Sequence, residues 1–143
     1  MIKKIHFIAL FLFMTNSYSQ EYRFNQYTTD DGISQNFIYT INQDMNGYLW
    51  VGTGEGLCKF DGKNFATFTT ADGLSEDVIT CTFESKDGTE WFGHNEGGIT
   101  NLIDGNFYQV KGDNSIISKI NGFGETSDAF FFISQTQGLY QIV

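Results

Sequence analysis

The chain has 143 residues, with 17 acidic and 8 basic side chains and a formal net charge of −9. That acid excess argues against a nucleic-acid partner and against an anionic membrane surface, both of which need a basic face. Proline is absent, and 16 glycines fall between short aromatic and β-branched runs, so many short strands joined by tight turns are expected, with no interdomain linker.

Residues 1–19 read as a secretory signal peptide. Lys3 and Lys4 form a positive start, residues 5–14 an apolar run, and Ser17 and Ser19 stand at −3 and −1 of a cleavage site before Gln20. The apolar run is well short of the roughly 20 residues that span a bilayer. No Cys stands at the cleavage point, so a lipoprotein reading has no support. Without Lys3 and Lys4 the chain keeps 6 basic and 17 acidic side chains, a net charge of −11. The acid excess is read as solubility.

Residues 20–30 hold one expected strand, over 22–29. Residues 31–71 hold four, at 37–43, 48–53, 56–61 and 65–69, designated A to D. Asn46-Gly47 lies between A and B and Asp61-Gly62 between C and D, and both dipeptides suit type I′ hairpins. Residues 72–112 repeat the pattern at 78–84, 89–93, 98–103 and 107–110, with turns at Asp87-Gly88 and Asp104-Gly105. Residues 113–143 hold a degenerate third set, A, B and C at 116–122, 129–134 and 138–143.

The sets are copies at an offset of 41 residues. Asp31-Gly32-Ile33-Ser34 returns as Asp72-Gly73-Leu74-Ser75, and Leu49-Trp50-Val51-Gly52 as Glu90-Trp91-Phe92-Gly93. The same offset carries Trp91 to Phe132, Gly93 to Ser134 and Gly97 to Gly138. It also matches Phe65 and Phe68 to Phe24 and Tyr27, so residues 22–29 read as a D strand. A period near 40 with Trp-Val-Gly or Trp-Phe-Gly indicates an all-β fold of four-stranded propeller blades. Trp50 and Trp91 are expected to pack between blades. Gly47, Gly88, Gly52 and Gly93 are expected to be structural. Three blades fall short of the roughly four to eight of a closed propeller. The chain is therefore expected either to begin a longer protein or to assemble with copies of itself, the N-terminal strand completing a last blade.

The D–A and B–C loops lie at one end of each blade and the hairpins at the other. Hairpin residues recur, as a scaffold requires. Loop residues change: Thr53-Gly54-Glu55 becomes His94-Asn95-Glu96 and then Gln135-Thr136-Gln137, and Gln35-Asn36 becomes Glu76-Asp77. The candidate ligand-binding residues are Gln35, Asn36, Glu55, Glu76, Asp77, His94, Asn95, Glu96, Gln135 and Gln137, whose polar groups suit sugar hydroxyls. Exposed loops also vary without function, so the variation does not decide the matter by itself.

No catalytic residue is assigned. His94 is the one histidine past the signal peptide, and a lone loop His gives weak support to acid–base chemistry. No Cys/His cluster has zinc spacing. Residues 44–47 lack the glycine placement of a calcium loop. The glycine-rich 52–56 precedes a strand, whereas a phosphate cradle needs a helix. No metal or cofactor is expected. Cys58 and Cys81 occupy non-equivalent positions, and whether they pair is left open.

The run Asp44-Met45-Asn46-Gly47-Tyr48-Leu49-Trp50-Val51-Gly52-Thr53-Gly54-Glu55-Gly56-Leu57-Cys58-Lys59-Phe60-Asp61-Gly62, after Asp-Gly-Ile-Ser, resembles the two-component regulator propeller repeat. The second copy departs from that pattern at Glu90, His94 and Gly98, and the third keeps little beyond Gly138-Leu139-Tyr140. The resemblance implies periplasmic sensor blades, followed in such receptors by a β-sandwich, a membrane helix and a histidine kinase or other output module. The family is abundant in Bacteroidetes-type bacteria, where many members sense oligosaccharides. It implies an inner-membrane-anchored parent, a small-molecule or oligosaccharide ligand, and the parent's remaining blades or a homo-oligomer as partners. A secreted propeller lyase and an adhesive repeat protein are the alternatives.

Overall fold

The computed structural model describes residues 21–111 and 116–143, so the expected signal peptide and Gln20 lie outside the described residues. The first sheet comprises β1 (Ile38–Gln43), β2 (Leu49–Thr53), β3 (Leu57–Phe60) and β4 (Phe65–Phe68). The second comprises β5 (Ile79–Glu84), β6 (Glu90–His94), β7 (Ile99–Ile103) and β8 (Asn106–Gln109). The third comprises β9 (Ile120–Glu125), β10 (Phe130–Ser134) and β11 (Gly138–Ile142). Each is an antiparallel meander in sequence order. The first strands stand side by side, β1 against β5 and β5 against β9, so the sheets follow one another face to face as propeller blades do.

A capped turn opens the first two blades. The Thr28 side chain accepts from the Asp30 N–H, the Asp31 carboxylate accepts from the Thr28 N–H at 2.8 Å, and Gly32 closes the turn at φ 107°. Thr69, Asp72 and Gly73 (φ 113°) repeat it. This is the physical content of Asp-Gly-Ile/Leu-Ser: the glycine takes a left-handed conformation that a side chain disfavours. The serine that follows fixes the turn to the blade, through Ser34 N–H to Cys58 Sγ in the first and Ser75 N–H to Thr100 Oγ1 in the second.

The core lies between blades. Trp50 and Leu57 of blade 1 meet Leu74, Ile79 and Phe92 of blade 2. Cys81 and Ile99 of blade 2 meet Ile120 and Phe132 of blade 3. Two glycines permit the approach. A Cβ on Gly52 would lie 2.5 Å from Thr40 and 2.8 Å from Ile79, and one on Gly93 would lie 2.5 Å from Cys81 and 2.7 Å from Ile120.

Several expectations are corrected. Residues 21–28 form no strand. Instead the Tyr27 ring packs on Phe60 (5.1 Å) and Phe65 (5.8 Å), much as Phe68 of blade 1 packs on Phe107 of blade 2 (5.2 Å). Strand A of blade 3 spans Ile120–Glu125 and not 116–122. The 41-residue offset also breaks there. Glu125 pairs with Phe130 where Glu84 pairs with Glu90, so that hairpin is one residue shorter. Phe131, not Phe132, therefore stands in the place of Trp91, and Ile133 in the place of Gly93. The partner across the ladder changes with it: Gly52 faces Thr40 and Gly93 faces Cys81, but Ile133 faces Gly122. Each of these pairs sets one glycine against one larger side chain, on either strand.

The A–B turns also differ from expectation. Gly47 N–H donates to Asp44 C=O and Gly88 N–H to Ser85 C=O, with only the glycines at positive φ, so these are four-residue turns closed by a left-handed glycine. Asp104-Gly105 alone has both residues at positive φ, as type I′ requires.

Filling the close approach should destabilise the fold. Gly52→Ala is expected to cost about 1–3 kcal/mol in denaturant unfolding. Gly122→Ala, where a Cβ meets nothing within 4 Å, should cost far less. Equal costs would contradict the packing described.

Candidate functional site

At the loop end the polar residues hold the loops together. The Gln35 amide accepts from Gly54 N–H (3.1 Å) and donates to Glu55 (3.1 Å). Glu76 does the same work in blade 2, accepting from Glu96 N–H (3.0 Å) and Gly98 N–H (3.4 Å), and burial holds its carboxyl above the ordinary range. Asn36 accepts from Thr29 N–H (3.0 Å) and Asp77 from Thr70 N–H (2.7 Å). Gln137 accepts from Ile117 N–H (2.9 Å). Glu55, Asn95, Glu96 and Gln135 are exposed on this rim.

His94 is not a loop residue. It ends β6 with no exposed surface, and its Nε2 lies 2.8 Å from Thr100 Oγ1, which donates to Ser75 Oγ (3.1 Å). Thr53 and Ser134 end the equivalent strands and bond directly to the loop serine that His94 reaches through Thr100, Ser34 (2.8 Å) and Ser118 (2.6 Å). Burial pushes the His94 imidazole down to about 4, so it is neutral at pH 7. A buried polar side chain joined to a hydroxyl is therefore a regular feature of these blades. Cys58 and Cys81 are both buried free thiols, and burial raises Cys81 to about 12, leaving it unreactive.

The hairpin end, expected to be scaffold alone, holds a polar cavity of about 220 Å³ between blades 1 and 2. Asp44, Trp50, Lys59, Glu84, Glu90 and Asp104 line it. Asp44 accepts from the N–H groups of Asn46 (3.0 Å) and Tyr48 (2.9 Å) and from the buried Trp50 indole (3.0 Å). That explains the Asp of Asp-x-x-Gly-x-Leu-Trp. In blade 2 Ser85 takes its place, accepting from the Trp91 indole at 3.1 Å. Glu84 accepts from Met45 N–H (2.8 Å) across the blade boundary, and Glu125 from Lys86 N–H (2.9 Å) across the next. The Lys59 ammonium lies 3.8 Å from the Tyr48 ring centre. Glu90 is 5% exposed, and neither of its oxygens has a hydrogen-bond partner among the described residues. Burial chiefly, then Glu84 and Asp44, raise its carboxyl to about 8 against the opposing pull of Lys59. Sequence reasoning named candidate residues at the loop end alone and did not single out this cavity. The signal it had was Glu90 itself, a carboxylate where the repeat has leucine.

These two buried groups set an expected pH profile of stability. The unfolded carboxyl titrates near 4.5 and the unfolded imidazole near 6.5. Between pH 6.5 and about 8 only the folded state keeps the Glu90 proton, so stability falls as pH rises. Between pH 4.5 and 6.5 the unfolded state also binds a His94 proton that the folded state refuses, and the two effects oppose. The melting temperature should be nearly level from pH 4.5 to 6.5 and decline toward pH 8. Glu90→Leu should abolish the decline; a decline of the same size in that variant would contradict the assignment.

Comparison with known proteins bears on this geometry. The family model described as "Two component regulator propeller" matches residues 32–55. The chain is 46% identical over 59 residues to histidine kinase P4 of Formosa agariphila, a match that spans 41% of this chain and 4% of that protein. Its fold resembles the extracellular domain described as that of a hybrid two component system from B. thetaiotaomicron, with TM-score 0.71 and 18% identity over 82% of this chain and 18% of that one. A second extracellular domain, described as that of a one component system from the same organism, gives TM-score 0.67 and 20% identity over 82% and 16%. The chain thus spans a small part of each of these proteins. Residues 32–55 carry a two-component regulator propeller repeat, set in a chain that folds as all-β propeller blades.

Proposed function

We propose that this chain forms ligand-sensing blades in the extracytoplasmic part of a two-component receptor, with an oligosaccharide as the ligand class. The carrying observation is the repeat at residues 32–55, which lies in a chain 46% identical over 59 residues to a histidine kinase. The fold shared with two extracellular domains supports an exported, periplasmic location and a parent anchored in the inner membrane. Among the described residues no helix is long and apolar enough to cross a membrane. On this reading the chain binds without covalent chemistry, and phosphoryl transfer belongs to other parts of the receptor.

The loop end suits sugar recognition for a physical reason. Gln35, Glu76 and Gln137 brace the B–C or D–A loops, so the exposed Glu55, Asn95, Glu96 and Gln135 project from a fixed rim. Polar groups held in place lose little entropy on binding. Unequal side chains on near-equivalent blades let an asymmetric ligand bind in one orientation. A ligand that prefers one arrangement of the receptor then shifts its signalling state.

The outward face of blade 1 supports further blades as partners. Tyr27, Ile33, Ile38, Val51, Phe60 and Phe65 line an apolar hollow of about 210 Å³ on it. Their counterparts Phe68, Leu74, Ile79, Phe92, Leu102 and Phe107 belong to the core that Trp50 and Leu57 complete. A neighbouring blade of the parent, or of a second copy, fits this hollow by the same contacts.

Calorimetric titration of the chain with a panel of defined oligosaccharides tests the reading. One saturable ligand is expected, weakened about tenfold or more by Asn95→Ala with Gln135→Ala, since each lost hydrogen bond costs about 0.5–1.5 kcal/mol. Binding by none of the panel would count against sugar sensing. Cleavage of the ligand during the titration would favour the lyase alternative.

A further inference from the structure

The first residue of strand B is Leu49 in blade 1, Glu90 in blade 2 and Phe130 in blade 3, each paired across the A–B hairpin with Gln43, Glu84 and Glu125. The position is apolar in two blades of three. In blade 3 the Phe130 ring stacks on Trp91 at 4.4 Å, so the fold is served there by an aromatic ring. Glu90 takes that place on the wall of the cavity that Trp50 also lines, with 5% exposure and no hydrogen-bond partner for either oxygen among the described residues. Burying a carboxylate without a donor is costly, and such groups ordinarily find partners. The architecture does not require the cost, since leucine and phenylalanine do the same structural work in the same chain.

The cavity beside Glu90 indicates what would meet it. Four carboxylates line it, those of Asp44, Glu84, Glu90 and Asp104, against one ammonium, that of Lys59. Asp44 is committed to two backbone N–H groups and an indole, and one oxygen of Glu84 to Met45 N–H. Lys59 is drawn onto the Tyr48 and Trp50 rings, 3.8 and 4.9 Å away. Glu90 on the wall and the exposed Asp104 at the rim remain to receive a donor with positive charge. Among the described residues no group of three or more acidic, His or Cys side chains is placed to hold a metal ion, which favours an organic cation here.

We propose that the cavity between blades 1 and 2, at the hairpin end, is a binding site for a small primary-ammonium compound whose N–H groups are accepted by Glu90. The site lies at the opposite end of the blades from the sugar-binding rim and does not rest on it. Glu84 from β5, Asp44 from the β1–β2 hairpin, Lys59 from β3 and Asp104 from the β7–β8 hairpin are the charged groups around it. Burial with Glu84 and Asp44 raises the Glu90 carboxyl to about 8, so the empty site holds a proton at pH 7. An incoming ammonium expels that proton. For an amine that stays protonated over this range, such as methylammonium, affinity therefore rises with pH, by about tenfold per unit below that value and levelling above it.

Calorimetric titration of the full chain with methylammonium and with glucosamine, using glucose as the neutral control, tests this. Run in two buffers of different ionisation enthalpy, it should give one saturable site for an amine. Close to one proton should be released per methylammonium bound at pH 7, and glucose should give no signal at this site. Glu90→Leu copies blade 1 and should keep the fold while weakening amine binding tenfold or more. Glu90→Gln keeps the shape but cannot ionise, and serves as the second variant if the leucine form does not fold. No amine binding by the parent chain would overturn the proposal, as would unchanged affinity in the folded variant. Oligosaccharide binding at the loop end should be unaffected by Glu90→Leu, so failure here and failure of the sensor reading are separable.

Discussion

The approach of each blade's first strand to the second strand of the blade before it is the constraint on which the rest depends. At Gly52 and Gly93 there is no room for a side chain, because Ile79 and Ile120 of the following blades occupy that space. With the inner strands that close, Trp50 is enclosed by Phe68 and Phe92, at ring distances of 6.1 and 5.4 Å. Its indole then needs a buried acceptor, which Asp44 supplies. The hairpin that carries Asp44 also offers Met45 N–H to Glu84 of the next blade. Burial, turn geometry and inter-blade hydrogen bonds are thus consequences of one close contact. Because the apolar area is buried between sheets and not within them, each blade leans on its neighbours.

The fold was legible because a repeat states each physical requirement more than once. Asp31-Gly32 and Asp72-Gly73 mark the same left-handed cap, and Leu49-Trp50-Val51-Gly52 and Glu90-Trp91-Phe92-Gly93 the same packed strand. In the third blade strand A was placed three to four residues early, and strand B was misread by one residue since the A–B hairpin is shorter, so that Ile133 with Gly122 reverses the small and large partners of the ladder. A fixed offset cannot reveal such an exchange. Residues 21–28 carry a strand-like pattern but no strand. Their aromatic anchor Tyr27 follows the repeat, whereas a ladder also needs a paired backbone.

The candidate site was legible only in part. Variation in the D–A and B–C loops pointed to Gln35, Glu76 and Gln137, but their side chains brace the loops. Sequence shows that a polar residue varies; it does not show which backbone N–H lies within reach. His94 was misplaced for a related reason, since only the paired register puts it at a strand end beside Thr100. Glu90 carried the clearest signal, a charge at a position that is apolar in the other two blades. Departures from a repeat are informative where the structure gives them no partner.

The coupling of Trp50 to Phe92 across the first blade boundary tests most directly the claim that these blades cohere through shared faces. A double-mutant cycle with Trp50→Leu, Phe92→Leu and the pair, followed by denaturant unfolding, measures it. A coupling energy of about 1 kcal/mol is predicted for an aromatic contact across a packed boundary. Strict additivity of the two substitutions would contradict the account, since it would mean that the blades are stabilised independently.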